Sequence, residues 1–277
     1  MVRIDSHQHF WRYTPATHGW ITHSMEVLKR DYLPSDLKKE LDAHAISGCV
    51  SVQAAQTEQE NHFLLDQADA YDFIRGVVGW VDLQDEKAEE RLSHWAQHPK
   101  FVGVRHIVQD EDADFLARSA FVRGVRLLPK FNLTYDLLIQ ESQLPAAQGF
   151  VDQLPDVKIV VDHLAKPKIA AQERSPWAEH IWALAKYPNV YCKLSGVVTE
   201  ADWRHWQASD IYPYLDVVVE AFGTERLMVG SDWPVCLLAA SYSQVTELMH
   251  QYFAAFGDAE RERIFGQTAI DFYQLSP

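Results

Sequence analysis

Eight short apolar runs, each followed by a stretch of helical periodicity, constrain this chain more than any other feature. The runs are Val2–His9, Ile46–Gln53, Ile74–Asp82, Phe101–Val108, Leu133–Ile139, Val157–His163, Val190–Gly196 and Arg226–Asp232. Their middles are rich in Val, Ile and Leu, the signature of parallel strands covered on both faces. The intervening pattern predicts helices over Leu37–His44, Glu58–Tyr71, Glu86–Gln97, Phe115–Leu128, Leu144–Leu154, Trp177–Tyr187 and Tyr212–Phe222. Two more, Tyr242–Phe256 and Asp258–Tyr273, close the chain. Pro34 and Asp36 suit a helix start, and Pro129 and Pro188 suit helix ends. Eight such alternations in 277 residues read as an α/β protein, a (β/α)₈ TIM barrel forming a single domain over 1–277. The competing architecture, an open doubly wound sheet, usually carries a glycine-rich phosphate turn after its first strand. Here His7-Gln8-His9 and an aromatic loop stand in that place.

Charge and cysteine usage exclude several function classes. Lys+Arg 25 against Asp+Glu 39 gives a net charge of −14, with no basic run. Nucleic acid and anionic membranes are therefore not expected partners. Cys49, Cys192 and Cys236 are scattered, form no metal-type cluster and suit a reducing compartment. Met1-Val2-Arg3 leads straight into an apolar segment without a signal-peptide pattern. No apolar run reaches the ~20 residues of a membrane span. A cytoplasmic protein is the expectation.

In a barrel of this kind the site lies at the C-terminal ends of the strands. The first strand ends in His7 and His9, two apart and so on one face. Two such imidazoles suit two ligands of one metal ion, or two donors clamped on one substrate oxygen. Singly, each polar strand end has a structural explanation. Together, Arg105 and His106 on the fourth strand, Asp162 and His163 on the sixth, Lys193 and Ser195 on the seventh and Asp232 on the eighth put ionisable groups at one end of five strands. That coincidence favours a reactive centre over five separate structural roles.

The motifs Ile4-Asp5-Ser6-His7-Gln8-His9-Phe10, Gly103-Val104-Arg105-His106, Asp162-His163-Leu164-Ala165-Lys166-Pro167, Lys193-Leu194-Ser195-Gly196 and Gly230-Ser231-Asp232-Trp233-Pro234 occur in that order. Together they resemble the sugar lactonases of the amidohydrolase superfamily, typified by L-fuconolactonase and L-rhamnonolactonase. The resemblance runs from residue 4 to about residue 273. It implies an amidohydrolase-like barrel that hydrolyses a cyclic ester. By motif match, His7, His9 and His163 surround the ester carbonyl or a metal, and Asp232 takes the place of the catalytic carboxylate. Two-metal relatives need a bridging Lys, Glu or Cys on the fourth strand and a His on the fifth. Neither is present here. The expectation is one divalent ion such as Zn²⁺, held by His7, His9, His163 and Asp232, or no metal at all.

The chemistry implied is addition of water to a lactone, with Asp232 as general base and His163 binding metal or orienting the water. The oxyanion is met by a metal, or by His7, His9 and Arg105. Asp162, next to His163, is expected to face the opposite way and to play a supporting part. Substrate contacts are expected from Arg105, His106, Tyr135, Lys166 and Lys193, with Trp11, Trp20 and Trp233 walling the pocket. A scarcity of strand-end arginines favours a neutral sugar aldonolactone, L-fuconolactone first, over a dicarboxylate. A metal-dependent decarboxylase of a small acid on the same barrel is the alternative. Release of CO₂ rather than ring opening would distinguish it.

Overall fold

The computed structural model describes residues 2–276. Its eight strands are β1 (Ile4–Gln8), β2 (Gly48–Val52), β3 (Ile74–Gly79), β4 (Phe101–Ile107), β5 (Thr134–Leu138), β6 (Ile159–Val161), β7 (Val190–Leu194) and β8 (Leu227–Val229). They pair in sequence order, every pair parallel. The ring closes by a bridge between Gln8 and Trp233, just beyond β8. There Asp232 N–H donates to the His7 carbonyl at 2.8 Å and His9 N–H donates to the Trp233 carbonyl at 2.7 Å. The protein is a (β/α)₈ barrel.

Helices α1 (Pro34–Ala43), α2 (Glu58–Ala70), α3 (Ala88–Trp95), α4 (Ser119–Val125), α5 (Leu144–Asp152), α6 (Trp177–Ala185), α7 (Ala208–Phe222) and α8 (Tyr242–Tyr252) follow the strands in order. One predicted helix breaks and another changes its winding. The Phe115–Leu128 stretch breaks at Arg118, whose extended backbone separates a short 3₁₀ turn from α4. The last stretch holds together, α9 (Asp258–Glu262) passing through a π turn over Arg263–Gln267 into α10 (Thr268–Tyr273). Among the described residues, no helix is long and apolar enough to cross a membrane.

The interior of the barrel is layered. At the N-terminal end, Ile4, Val50, Val78, Val102, Val160 and Met228 pack on Phe272 and Tyr273 of α10, which stops that end. Next comes a charged layer, which Asp162 enters two residues after Val160 by the alternation of strand side chains. Arg105, Asp162 and Lys193 lie there, with Asp136 from β5, all buried. The outward faces of the strands, such as Val104, Leu137, Ile159 and Cys192, pack with the helices in the outer core.

Candidate active site

The register of β1 on β2 shifts between Asp5 and Gln8. Ile4 faces the interior, and so does His7 three residues later, a parity that strict alternation forbids and a bulge allows. Asp5 pins this irregularity. Its carboxylate accepts from His7 N–H at 3.2 Å, Ser231 N–H at 2.8 Å, Ser231 Oγ at 2.6 Å and Tyr242 OH at 3.0 Å. His9 follows on the same face as His7.

Three imidazoles then converge on one carboxylate oxygen. His9 Nε2, His7 Nε2 and His163 Nε2 lie 3.4, 3.8 and 3.9 Å from Asp232 Oδ1. His7 and His9 bring their Nε2 atoms within 3.2 Å of each other. Each ring has its other nitrogen engaged away from this point. His9 Nδ1 pairs with the Val52 carbonyl at 2.7 Å, and His163 Nδ1 with Ser195 Oγ at 2.9 Å. His7 Nδ1 lies 3.3 Å from Asp162 Oδ1 and 3.1 Å from Lys193 Nζ. A carbonyl only accepts, so Nδ1 of His9 is the donor to Val52, and the ring turns Nε2 towards the Asp232 carboxylate. Two acceptors that close call for a proton or a cation between them.

A divalent metal fits this donor set. His7, His9 and Asp232 offer atoms all within 4.8 Å of one another, and so do His7, Asp162 and His163. The first group, two imidazole nitrogens with their far sides engaged plus one carboxylate, is a donor set of the kind zinc takes, and His163 Nε2 lies 3.9 Å from the same carboxylate oxygen.

Burial and neighbouring charges together set the charge states. Burial holds His163 down to about 4, against the opposing pull of Asp232 and Asp162, so its ring is neutral at pH 7. Burial also holds His7 well below the usual histidine range, although Asp162 pulls the other way. For Asp232, burial opposes ionisation, but His163, His9 and His7 outweigh it and keep the carboxyl below the usual range. For Asp162, burial is likewise overridden, by Lys193, His7 and Arg105.

Asp162 corrects an expectation. It faces the interior, where Arg105 Nη1 donates to it at 3.2 Å and Lys193 Nζ lies 3.1 Å away. The strand ends at Val161, and His163, Leu164, Ala165 and Lys166 then take φ of +53°, +55°, +57° and +51°. This left-handed turn breaks the alternation, so consecutive residues 162 and 163 both reach the centre. Such a conformation costs about 1–2 kcal/mol per non-glycine residue. The Trp177 indole N–H holds the turn by donating to the Leu164 carbonyl at 2.7 Å. Gly196 makes room for it, since a β-carbon there would lie 2.6 Å from His163 Nδ1.

Above the centre opens a cavity of about 420 Å³, with His9, Arg105, His163 and Asp232 on its floor. Lys166 and Trp20 line it, as the sequence led us to expect. Five other expected contacts lie elsewhere. Tyr135 faces outward against Phe121 and Phe150, because its neighbour Asp136 takes the inward position. His106 also faces outward, stacked on Phe115 and paired with Glu111 at 2.8 Å. Lys193 lies below the cavity, bonded to Asp136 and Asp162. Trp11 and Trp233 both pack edge-on against Tyr32, inside the loop layer. Arg105 keeps its place beside the centre, but its guanidinium is largely engaged, with Asp162, the Gln53 carbonyl and Gln53 Oε1. Sequence reasoning missed Gln109, Thr199, Glu200 and Trp203 on the walls. The one available signal was position, since all four lie in loops that leave the C-terminal ends of β4 and β7.

Comparisons with known proteins agree with this geometry. A family model described as Amidohydrolase matches residues 4–275. The chain is 44% identical to an L-fucono-1,5-lactonase of Burkholderia multivorans, over 99% of this chain and 96% of the relative. It is 36% identical to an L-fucono-1,5-lactonase of Burkholderia ambifaria, again over 99% and 96%. Among solved structures, an amidohydrolase from Burkholderia multivorans with bound zinc superposes with a TM-score of 0.96 at 43% identity, with all of both chains covered.

Proposed function

The chain belongs to the amidohydrolase family, and on that premise we propose that it is a lactonase that opens the ester ring of a sugar aldonolactone. L-Fuconolactone in its six-membered 1,5-form comes first, on the strength of the two relatives so named. The observation that carries the reading is the convergence of His7, His9 and His163 on Asp232 at the floor of the cavity.

Asp232 is ionised at neutral pH and takes a proton from water as that water adds to the lactone carbonyl. The same low proton affinity makes it a modest base but a ready acid for the return step. When the ring C–O bond breaks, the proton passes from Asp232 to the leaving oxygen, which becomes a hydroxyl of the open-chain acid. His163, neutral and held by Ser195, orients the water. A single zinc ion held by His7, His9, His163 and Asp232 would supply Lewis acidity at the carbonyl. The lack of a bridging residue at the end of β4 and of a histidine on β5 favours one ion over two. A metal-free variant of the reaction would leave His7, His9 and Arg105 to meet the oxyanion.

The test is acid release at pH 7 from L-fuconolactone, L-rhamnonolactone, L-galactonolactone and a dicarboxylate lactone. L-Fuconolactone should be opened fastest. Faster turnover of the dicarboxylate than of every sugar lactone would overturn the substrate class, and CO₂ release from an aromatic acid would move the protein to another reaction.

A further inference from the structure

Residues 163–166 form one left-handed turn built from four residues with side chains, none of them glycine. Left-handed backbone is disfavoured for such residues and persists where the surroundings enforce it. Here Leu164 and Ala165 are fully buried, and Lys166 N–H closes the turn on the His163 carbonyl at 2.7 Å. The outcome is that His163 and Lys166, the two ends of the turn, both face the cavity. The turn therefore ties Lys166 to the reactive centre at a fixed offset.

Lys166 Nζ donates to Glu200 Oε1 at 2.9 Å, and each side chain is only about one-fifth exposed. Glu200 also lines the cavity, from a loop secured at several points. The Glu200 carbonyl accepts from Ala170 N–H at 2.9 Å, Thr199 Oγ1 donates to the Gly196 carbonyl at 2.8 Å, and the Trp203 indole donates to the Thr199 carbonyl at 2.8 Å. Gln109 also lines the cavity, and its Oε1 is buried with no hydrogen-bond partner. The walls thus offer a cation, a carboxylate and an unfilled amide acceptor, with Trp203 beside them. A hydroxyl both donates and accepts, so adjacent hydroxyls on a ring can meet a lysine and a carboxylate together. A carboxylate substituent would meet Glu200 as a like charge.

We propose that Lys166 and Glu200 are the specificity-determining pair of this site, reading hydroxyls on a neutral polyhydroxylated ring, and that the left-handed turn exists to hold Lys166 in register with His163. This rests on the lactonase reading and sharpens it. The pair selects the substrate and positions it, while the ester chemistry stays with the histidines and Asp232.

Lys166→Met and Glu200→Gln are compared with the unaltered protein on two substrates, L-fuconolactone and the unsubstituted δ-valerolactone. For the hydroxylated ring, kcat/KM should fall about 10- to 100-fold, mainly through KM. For the bare ring it should change by less than about threefold. Lys166→Arg, which keeps a cation within reach of Glu200, should recover most of the loss. Binding of the corresponding hydrolysis-resistant sugar lactam, measured by calorimetry, should weaken in parallel. Equal losses on both lactones, or unchanged lactam binding, would overturn the pair. Absence of any lactone opening by the unaltered protein would instead strike the lactonase reading. The lactam arm would still judge the pair, and Glu200→Gln serves if Lys166→Met does not fold.

Discussion

Lys193→Met is the perturbation with the most to teach. The lysine is fully buried and touches Asp136, Asp162 and His7. With Arg105 it balances two carboxylates, so the charged layer is neutral as a whole. Methionine keeps most of the side-chain volume and deletes one positive charge. Removing one partner of a buried pair costs about 3–5 kcal/mol, because the other charge is left uncompensated. Asp136 offers an escape. Burial already pushes its carboxyl up to about 6, against the pull of Lys193 and of the Tyr273 hydroxyl that donates to it. Without the lysine it moves higher still and takes up a proton in the folded state. The penalty should therefore be small near pH 5 and grow as pH rises towards 8. Urea unfolding at both pH values measures it. The double variant Lys193→Met/Asp136→Asn should recover more than half of the loss at pH 8. A loss under about 1 kcal/mol at pH 8, or one independent of pH and not relieved in the double variant, would refute the charge accounting.

Three further outcomes are expected. Asp232→Asn keeps the shape and removes the proposed base, so kcat on L-fuconolactone should drop roughly 10²–10⁴-fold; near-normal turnover would show that another group takes the proton. Elemental analysis of the purified protein should find at most one equivalent of zinc, and two tightly held equivalents would contradict a mononuclear site. Glu60 is raised to about 7 by burial, against N–H bonds from Ala55 and Ala54. Its folded pKa exceeds the usual 4.5, so its contribution to stability is full below about pH 4.5 and is lost as pH rises through 7. Glu60→Gln should flatten the stability profile across that window by on the order of 2–4 kcal/mol; a profile as steep as before would locate the titration elsewhere.

The barrel and much of its centre were legible in the sequence for the same reason. Parallel strands buried on both faces read as apolar runs, so the first polar residue at each end stands out. His7, His9, Arg105, His163 and Asp232 were visible in this way. What misled was parity. A one-residue error flips a side chain to the opposite face of the sheet. Tyr135 was favoured where Asp136, the partner of Arg105 in the β4–β5 register, faces inward. His106 failed alongside Arg105 by the same rule. Asp162 defeated a parity argument outright, because the left-handed turn after β6 is a tertiary solution with no glycine to announce it. The loop aromatics carry no period at all. Nothing in the spacing of Trp11, Trp20, Trp203 and Trp233 says which pack on Tyr32 and which face the cavity.

The seam between β1 and β8 has a consequence for how the protein is made. Asp5 and Ser231, which clasp that seam, are 226 positions apart. At roughly 5–20 residues per second, the His7–His9 pair is synthesised some 10–45 seconds before Asp232. During that interval β1 can pair with β2, but the two histidines have no carboxylate opposite them. The reactive centre is therefore among the last things the chain completes, and its appearance coincides with closure of the ring. A growing or truncated chain that stops before β8 holds the conspicuous histidines yet lacks Asp232, so on the proposed mechanism hydrolytic activity in a cell reports chains that have been finished and closed.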